Sequence, residues 1–465
     1  MLQLDKRVKT PYYVQIYTYY RQQIESRSLP TGTRLASVRE LAQELGVSKM
    51  TVEKAYYQLA GEGYILRRSK ARYEVASVRV PRKADRPRSA LEEAAQSPAA
   101  IAYDFGSGDL AAEAFPLAVW RKLMNRVLHE PDLLLANQDE QGAPVLRHVL
   151  SQYIYQTRGV QAGPENLIIG SGTGALLTVL LNLLHDRYPQ VAVEEPGFRL
   201  GRELFRTGGF EIVPIPVREG CFSLPDLAQS GARLAYVSPS HQFPTGAVMP
   251  AGSRYDLLNW AHECDGLIIE DDYDSELRYQ GRPIPALQSL DRAGRVIYMG
   301  AFSKILPPFV RLSYMVLPAP LLQAYTRRRV LFRQGASVPE QCVLAEYIRT
   351  GGLARQVRRL RKEYQEKGAL LAHCLQAAFG AAMRVSPVVS GVYCHVVLQS
   401  DVPEEVLLAR AASEGCRVLS VRSFYEKSVA GTDKEFLLSF SKIPAQELTQ
   451  AVAALRRAWL EKEGN

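Results

Sequence analysis

Apolar residues near the amino terminus follow a helical repeat. They recur every three or four positions in residues 38–45 and again in residues 49–60, in each case directly behind a serine. A serine in this place is an N-cap signal, so we predict two amphipathic helices. A glycine-containing turn at residues 46–48 joins them, which predicts a helix-turn-helix. Residues 63–75 fit a β-hairpin, so the whole segment is typical of a winged helix.

The pattern changes after residue 101, where short apolar runs alternate with helical segments. Seven such runs lie at residues 166–169, 190–194, 211–215, 233–237, 266–270, 295–299 and 312–317. Continuous apolar strands separated by helices predict a mostly parallel sheet that is covered on both faces. After about residue 319 the pattern predicts long basic amphipathic helices and then a smaller α+β portion.

Length and composition divide the chain in the same places. Its 465 residues, 47% apolar and 23% charged, are typical of two or three folded domains. Residues 77–100 are rich in Pro, Arg, Ala and Ser, a linker composition. We therefore predict a winged-helix domain at 1–76, a flexible linker at 77–100 and an α/β domain at 101–465. The large part of this last domain is expected at about 150–320.

The excess positive charge lies in the first fifth of the chain. Residues 1–88 hold 18 Lys and Arg against 8 Asp and Glu, a net charge of +10. The remaining residues hold 39 basic and 40 acidic side chains, a net charge of −1. This segregation indicates that the amino-terminal module binds a polyanion. Charge alone leaves a second interpretation open, a basic surface that only keeps the module in solution.

No segment predicts export or insertion into a membrane. The most apolar stretch, residues 175–184, is too short to span a bilayer, and residues 1–7 lack the apolar core of a signal peptide. Six cysteines are scattered without a Cys-x-x-Cys pair, which indicates reduced thiols rather than a disulfide framework or a zinc site. We therefore expect a cytoplasmic protein with no metal ion and no membrane partner.

Several short motifs follow one another in the amino-terminal module. They lie at residues 11–16, 29–35, 37–42, 45–52, 55–56 and 61–65. Together they resemble the GntR-type winged helix. In this domain the second helix of the helix-turn-helix enters the major groove of double-stranded DNA. The resemblance implies DNA contacts by Arg39, Ser48, Lys49 and Thr51. Cations of the hairpin are expected on phosphates or in the minor groove, namely Arg67, Arg68, Lys70 and Arg72.

Two further groups of polar residues follow predicted strands, where open α/β sheets bind ligands. Ser171, Gly172 and Thr173 form a small-residue turn before a helix, which suits a phosphate, although a helix cap without a ligand has the same pattern. Residues 270–274 contain four carboxylates, which suit Mg²⁺ or supply one buried acid for a protonated ring nitrogen. Strand alternation points Asp271 and Tyr273 of this group to one side.

A lysine follows the next predicted strand. Lys304 comes directly after Ser303, and Arg311 comes seven residues later. Burial at the end of a core strand lowers the pKa of a lysine, which favours a Schiff-base role. A lysine whose amine reaches solvent is the alternative.

In this order the motifs resemble the fold-type I pyridoxal 5'-phosphate (PLP) enzymes of the aminotransferase class. Residues 194–198 and 240–246 are further matches. With the winged helix included, residues 10–460 resemble the MocR/GabR family of transcriptional regulators. The resemblance implies an N-terminal winged helix-turn-helix followed by an aminotransferase-like PLP-binding domain, within the α/β class, and a homodimer.

The same resemblance implies a role for each cofactor residue. Lys304 would form the Schiff base with PLP, Asp271 would pair with the pyridinium nitrogen, and Tyr273 would bond to the phenolic oxygen. Phe198 would stack on the ring. The phosphate would be held by Ser171, Gly172, Thr173, Ser303 and Arg311.

One feature of the enzyme pattern is missing. Residues 436–440 have a leucine where aminotransferases commonly carry an arginine for the substrate carboxylate. Arg199, Arg202 and Arg422 are the candidates to replace it as effector contacts. The missing arginine argues against efficient turnover of a standard amino acid.

These observations leave three hypotheses. The first is a PLP-dependent DNA-binding regulator that senses a small amino compound through external aldimine formation at Lys304 and binds two promoter half-sites as a dimer. The second is an active aminotransferase with an accessory DNA-binding module. The third is a dimeric scaffold in which PLP is only structural. The sequence leaves the effector, the target genes and the direction of regulation open.

Overall fold

The computed structural model divides the chain into two compact units, residues 1–97 and 98–465. The described residues are 2, 4, 5, 8–69, 72–78, 101–130, 132, 139–218, 220–279, 281, 283–426 and 433–460. Most of the predicted linker at 77–100 lies outside them, as does the predicted DNA contact Lys70.

The first unit is a winged helix-turn-helix, as predicted. Its elements are α1 (Tyr12–Glu25), α2 (Val38–Leu45), α3 (Lys49–Gly61), β1 (Ile65–Ser69) and β2 (Arg72–Val75). The two strands pair antiparallel. Four apolar residues of α3 are fully buried in the core of this unit, Val52, Ala55, Tyr56 and Leu59. They are the residues that repeat with helical spacing in the sequence.

Side-chain caps fix where the helices of this unit begin and end. Ser37 Oγ accepts a hydrogen bond from the Glu40 amide at 3.2 Å, and the Glu40 carboxylate accepts one from the Ser37 amide at 2.8 Å. This capping box starts α2. Ser48 Oγ accepts from the Thr51 amide at 3.2 Å and starts α3. Gly46 ends α2 with a φ of +64°, which glycine adopts without strain.

The second unit is built on an eight-stranded, mostly parallel sheet. Its strands are β4 (Leu167–Gly170), β5 (Gln190–Glu195), β6 (Glu211–Arg218), β7 (Cys221–Phe222), β8 (Leu234–Val237), β9 (Leu267–Asp272), β10 (Val296–Ala301) and β11 (Ser313–Val316). The order across the sheet is β4-β11-β10-β9-β8-β5-β6-β7. Only β7 and β11 run antiparallel to their neighbours in the described sheet. The seven predicted strands and the α/β class are confirmed.

Helices cover both faces of this sheet. The helices of the second unit are α4 (Leu117–Leu128), α5 (Pro144–Arg158), α6 (Thr173–Leu184), α7 (Arg199–Thr207), α8 (Leu224–Ser230), α9 (Ala251–Glu263), α10 (Ala319–Arg328), α11 (Val338–Arg349), α12 (Gly352–Phe379), α13 (Glu404–Ser413) and α14 (Leu448–Leu460). Ile268 of β9 belongs to one apolar cluster with Leu257 of α9, whereas Ile269 belongs to another with Leu177 of α6. Strands buried on both faces explain the continuous apolar runs.

A smaller antiparallel sheet follows the long helices, as the sequence predicted. Its strands pair in the order β12 (Met383–Val385), β13 (Tyr393–Gln399), β16 (Asp433–Ser439) and β15 (Leu419–Ser420). Separately, β3 (Tyr103–Asp104) pairs with β14 (Cys416–Arg417). No helix in the described part of the chain is both long enough and apolar enough to span a bilayer.

A buried ion pair fixes the end of helix α5 to the end of strand β9. Arg158 Nε lies 2.7 Å from Asp272 Oδ2, and the two side chains are 4% and 2% exposed. Arg158 also donates to Ser240 Oγ at 2.6 Å and to the carbonyl of Ile284. Tyr298 Oη donates to the same carboxylate at 2.6 Å. The pair therefore holds in place the sheet edge at which β9 ends.

We predict that Arg158→Met lowers the free energy of unfolding by about 3–5 kcal/mol, because Asp272 is then a buried carboxylate without its cation. Urea unfolding of the full chain, followed by circular dichroism, measures the change. The matched control is Arg349→Met, which removes an exposed pair with Glu346. Its expected cost is at most about 1 kcal/mol. Equal losses in the two variants would show that the buried pair has no special importance.

Candidate functional site

The carboxyl ends of five parallel strands meet at one edge of the large sheet. Strands β4, β5, β8, β9 and β10 run in one direction, so the residues that follow them lie side by side. A cavity of about 510 Å³, here named the Lys304 cavity, opens at this edge. Its lining residues are Thr173, Phe198, Arg199, Leu200, Glu203, Ser238, Phe243, Asp271, Tyr273, Ala301, Ser303, Lys304, Tyr393, Leu419 and Phe424.

Lys304 lies half-buried in this cavity. Its Nζ donates to the carbonyl of Gly108 at 3.2 Å and lies 5.6 Å from the centre of the Tyr393 ring. Burial disfavours the ammonium form and lowers the pKa of Lys304, although Asp274 and Asp109 oppose this effect. The residue is therefore better able to supply a neutral amine than an exposed lysine is.

Asp271 lies in β9 and Tyr273 directly follows the end of this strand, and both residues line the cavity. The Asp271 carboxylate is buried and accepts a hydrogen bond from Tyr236 Oη. Burial raises its pKa to about 6, although this hydrogen bond opposes the shift. Tyr273 Oη lies 3.1 Å from His241 Nδ1.

Each of the four carboxylates of residues 270–274 has its own hydrogen-bond partners. Glu270 accepts from two backbone amides, at 2.7 and 2.9 Å. Asp271 contacts Tyr236, Asp272 contacts Arg158, and Asp274 lies 2.8 Å from His241 Nδ1. The side chains thus diverge, and no group of three His, Cys, Asp or Glu residues in the described ranges is arranged to hold a metal ion.

A second pocket, of about 240 Å³, adjoins the Lys304 cavity. It shares Thr173, Phe198, Leu200 and Ser303 with that cavity and is otherwise lined by Asp109, Gly172, Gly174, Phe302, Leu306, Pro307, Pro308, Val310, Arg311, Leu312 and Ser313. We call it the Arg311 pocket. It contains most of the residues that the sequence assigned to a phosphate.

Backbone geometry fits the Arg311 pocket to an anion. Gly172 has a φ of +104°, and a Cβ at this position would lie 3.2 Å from the Arg311 guanidinium. Glycine thus allows close approach of the arginine to the start of α6, where unpaired amides favour an anion. Arg311 itself has a φ of +42°, an uncommon conformation for a side chain of this size. The predicted contact Ser171 differs, because its Oγ faces Gly335 and it lines neither described pocket.

The structure separates the three arginines predicted to bind an effector. Arg199 lines the Lys304 cavity. Arg202 is instead buried between Glu195 at 3.4 Å and Glu426 at 3.0 Å, and it donates to the carbonyl of Phe424 at 3.0 Å. Arg422 is exposed and is not among the described lining residues. Of these three arginines, Arg199 is the one that lines the described cavity, whereas the guanidinium of Arg202 is engaged by two carboxylates.

The sequence prediction missed His241 and Gly108 at this site. His241 pairs with Asp274, and this ion pair outweighs the opposing effect of burial and raises the pKa of His241. The motif at 240–246 pointed to this turn but not to its histidine. Gly108 lies where a Cβ would be 2.4 Å from Tyr393 Oη and 2.7 Å from Lys304 Nζ. No local sequence pattern marks such a long-range approach.

The predicted DNA contacts of the first unit lie largely at its surface. Arg39, Ser48 and Lys49 are exposed, whereas Thr51 is half-buried. The hydroxyls of Ser48 and Thr51 lie 2.8 Å apart, so both take part in the cap that starts α3. On the hairpin, the exposed cations are Arg67, Arg68 and Arg72.

Comparison with known proteins decides the family. Residues 12–75 match the model of the bacterial regulatory proteins of the gntR family. The HTH-type transcriptional regulator YdeL of Bacillus subtilis strain 168 is 34% identical over 470 residues, which cover 98% of each chain. The probable rhizopine catabolism regulatory protein MocR of Rhizobium meliloti is 31% identical and covers 100% of this chain and 97% of its own. The chain belongs to the MocR-type family of GntR regulators.

The second unit of this MocR-type regulator has the aminotransferase fold. The α-aminoadipate aminotransferase LysN of Thermus thermophilus, solved with N-(5'-phosphopyridoxyl)-L-leucine, superposes with a TM-score of 0.68. It is 25% identical and covers 80% of this chain and 94% of its own. The predicted two-part organisation, a GntR-type DNA-binding module followed by an aminotransferase-like domain, is confirmed.

We predict that Glu194→Gln in this MocR-type regulator raises stability more at pH 8.5 than at pH 5. Burial raises the pKa of Glu194 from 4.5 to about 8. Between these values the folded chain keeps a proton that the unfolded chain has lost, so wild-type stability falls as the pH rises, by up to about 1.4 kcal/mol per pH unit. The amide does not titrate.

Thermal unfolding temperatures from pH 5 to 8.5 measure this difference between the two proteins. Glu263→Gln, at an exposed position of α9, serves as the control and should run parallel to the wild type. A constant offset between Glu194→Gln and the wild type across this range would contradict the raised pKa.

Proposed function

We propose that this regulator binds PLP in the Lys304 cavity and responds there to a small amino compound. The observation that supports this most is the arrangement of one half-buried lysine, one buried carboxylate and an adjoining anion pocket around a single cavity. The cofactor would supply an aldehyde carbon that bonds reversibly to amines and a ring that withdraws electrons. Such a group needs an amine, an acid and a phosphate site, and Lys304, Asp271 and the Arg311 pocket are the candidates for these three.

Each side chain has a definite task in this proposal. Lys304 would present its amine, whose lowered pKa favours the neutral, nucleophilic form. Arg311, Thr173 and Ser303 would hold the phosphate in the Arg311 pocket, with Gly172 allowing close approach. Asp271 would hold a proton on the ring nitrogen, and Tyr236 orients this carboxylate.

The aromatic residues complete the proposed cofactor site. Phe198 lines both the cavity and the adjoining pocket, where it would lie against the cofactor ring. Tyr273 would bond to the phenolic oxygen, and its contact with His241 holds the hydroxyl in place. Burial lowers the pKa of His241, but the pairing with Asp274 outweighs it, so the net shift is upward and favours the protonated imidazole next to that hydroxyl.

DNA binding by the first unit depends on the oligomeric state of the protein. We infer a homodimer whose two winged helices bind two half-sites of promoter DNA. The basic excess of residues 1–88 supports contacts to the phosphate backbone. Arg39 and the first turn of α3, residues 48–51, would provide the contacts in the major groove.

We predict that addition of PLP to the purified chain produces a visible absorption band and that Lys304→Ala abolishes it, because no other lining amine is present in the described cavity. Lys362→Ala, at an exposed lysine of α12, is the matched control and should keep the band. A band of full intensity in Lys304→Ala would refute the proposed cofactor site. If an amine abolishes the visible band of the PLP-loaded protein and a keto acid restores it, the result would instead favour an active aminotransferase.

We predict that Lys49→Ala weakens DNA binding and reduces its dependence on salt. If a dimer neutralises about six phosphates, the slope of log affinity against log salt is about −5, and removal of two Lys49 contacts reduces its magnitude by about 2. Fluorescence anisotropy on a duplex selected from a random library measures the slope.

Lys54→Ala provides the control for this DNA measurement. Lys54 lies on the same helix, but its Nζ is 4.1 Å from the centre of the Tyr13 ring. Its removal should leave the slope close to that of the wild type. A slope change of about 1 for Lys49→Ala would contradict the dimer, and equal effects of both variants would contradict the assignment of Lys49 as a DNA contact.

A further inference from the structure

The outer wall of the Lys304 cavity is mostly apolar. Two lining residues without a task in the proposed cofactor site, Ser238 and Ala301, lie at the ends of strands β8 and β10. The other lining residues without such a task form the outer wall and remain for an effector: Arg199, Leu200, Glu203, Phe243, Tyr393, Leu419 and Phe424. All of these except Arg199 and Glu203 are apolar or aromatic. An effector bound in this cavity next to Lys304 would therefore contact mostly apolar side chains.

The aromatic residues of this wall form a continuous series that begins at the lysine. Lys304 Nζ lies 5.6 Å from the centre of the Tyr393 ring. The Tyr393 and Phe243 rings are 6.0 Å apart, and the Phe243 and Phe424 rings are 4.8 Å apart in an edge-to-face arrangement. A group bonded near the lysine amine would thus lie against aromatic rings for its first several ångströms.

A leucine packs against this wall at the position where aminotransferases commonly carry a carboxylate-binding arginine. The arginine that is missing from residues 436–440 corresponds to Leu437, two residues before Ser439. Leu437 is 1% exposed and belongs to one apolar cluster with Phe424, with Phe243 packed against it. The chain therefore places an apolar contact where a carboxylate would otherwise be gripped.

Few arginines are available in this cavity to bind a carboxylate of an effector. Arg202 is held by Glu195 and Glu426, as described above. Arg199 lies at the start of α7 and, within the described residues, has no carboxylate partner within 4.0 Å. Glu203, one turn later, pairs with Arg206 at 2.6 Å. Arg199 is therefore the one arginine in the described wall that could bind a carboxylate close to the effector amine.

We propose that the effector is a primary amine with an aromatic or branched aliphatic body, recognised by Phe243, Tyr393 and Phe424. This inference rests on the proposed function, because the amine must meet PLP at Lys304. An apolar body removes its own surface and that of the three rings from water. A short amine with a charged end would instead lose hydration against rings that cannot replace it.

The first test compares amines on the full chain loaded with PLP. The probes are 2-phenylethylamine and 3-methylbutylamine against γ-aminobutyrate and taurine, with binding followed by the visible band and by calorimetry. We expect the two apolar amines to bind at least about 10-fold more tightly than the two charged ones. Tighter or equal binding of γ-aminobutyrate or taurine would overturn the inference.

The second test assigns the preference to the wall. Phe424→Ala should weaken binding of 2-phenylethylamine by about 10- to 100-fold and should change binding of methylamine by less than about 3-fold. Phe243→Leu is the milder variant if Phe424→Ala fails to fold, and a smaller loss with the same selectivity is expected. Tyr155→Ala, at an exposed position of α5, is the control. Equal losses for both amines in the wall variants would contradict recognition by the rings.

The outcomes separate this inference from the function on which it rests. A protein that shows no visible band with PLP would refute the cofactor site itself. A normal band with no preference among the four amines would refute only the assignment of the effector class. The affinity of the loaded protein for its selected DNA duplex, measured with and without 2-phenylethylamine, gives a second readout. We expect this amine to change that affinity and taurine to leave it unchanged.

Discussion

The parallel alignment of five strands is the constraint on which the site depends. Because β4, β5, β8, β9 and β10 share one direction, each must return through a crossover on a face of the sheet. Their carboxyl ends then meet at one edge, although Thr173, which follows the first of these strands, and Lys304, which follows the last, are more than 100 positions apart in the chain. Lys304, Asp271 and Thr173 are brought together by this topology and not by any local motif.

The same topology concentrates acidic groups where water is scarce. Burial raises the pKa of Glu194 to about 8, of Glu270 and Glu276 to about 7, and of Asp271 to about 6. An unpaired charge in such a place is costly, so each carboxylate must find a donor or retain a proton. Arg158 solves this problem for Asp272. Arg158, which takes no part in the proposed chemistry, thus helps to hold the polar edge of the sheet.

The sequence was sufficient for the fold but not for the whole site. Local patterns, an N-cap serine before a periodic helix or a continuous apolar run, report on neighbours in the chain, and they predicted the helices of the first unit and the strands of the large sheet. Strand alternation also predicted that Asp271 and Tyr273 share a side. The engagement of Arg202 by Glu426 and the approach of Gly108 to Lys304 depend on residues more than 190 positions apart. Nothing in a local pattern reports such distances.

Arg202 also connects segments of the second unit that lie far apart in the sequence. It bonds to Glu195, which ends a strand of the large sheet, and to the backbone carbonyl of Phe424, which lines the cavity from the smaller part. Arg202 holds the main chain of Phe424 and not its ring. The point from which this ring enters the cavity is therefore fixed by α7 and by the end of β5. The aromatic wall is thus anchored to the large sheet, although Phe424 itself comes from the smaller part of the unit.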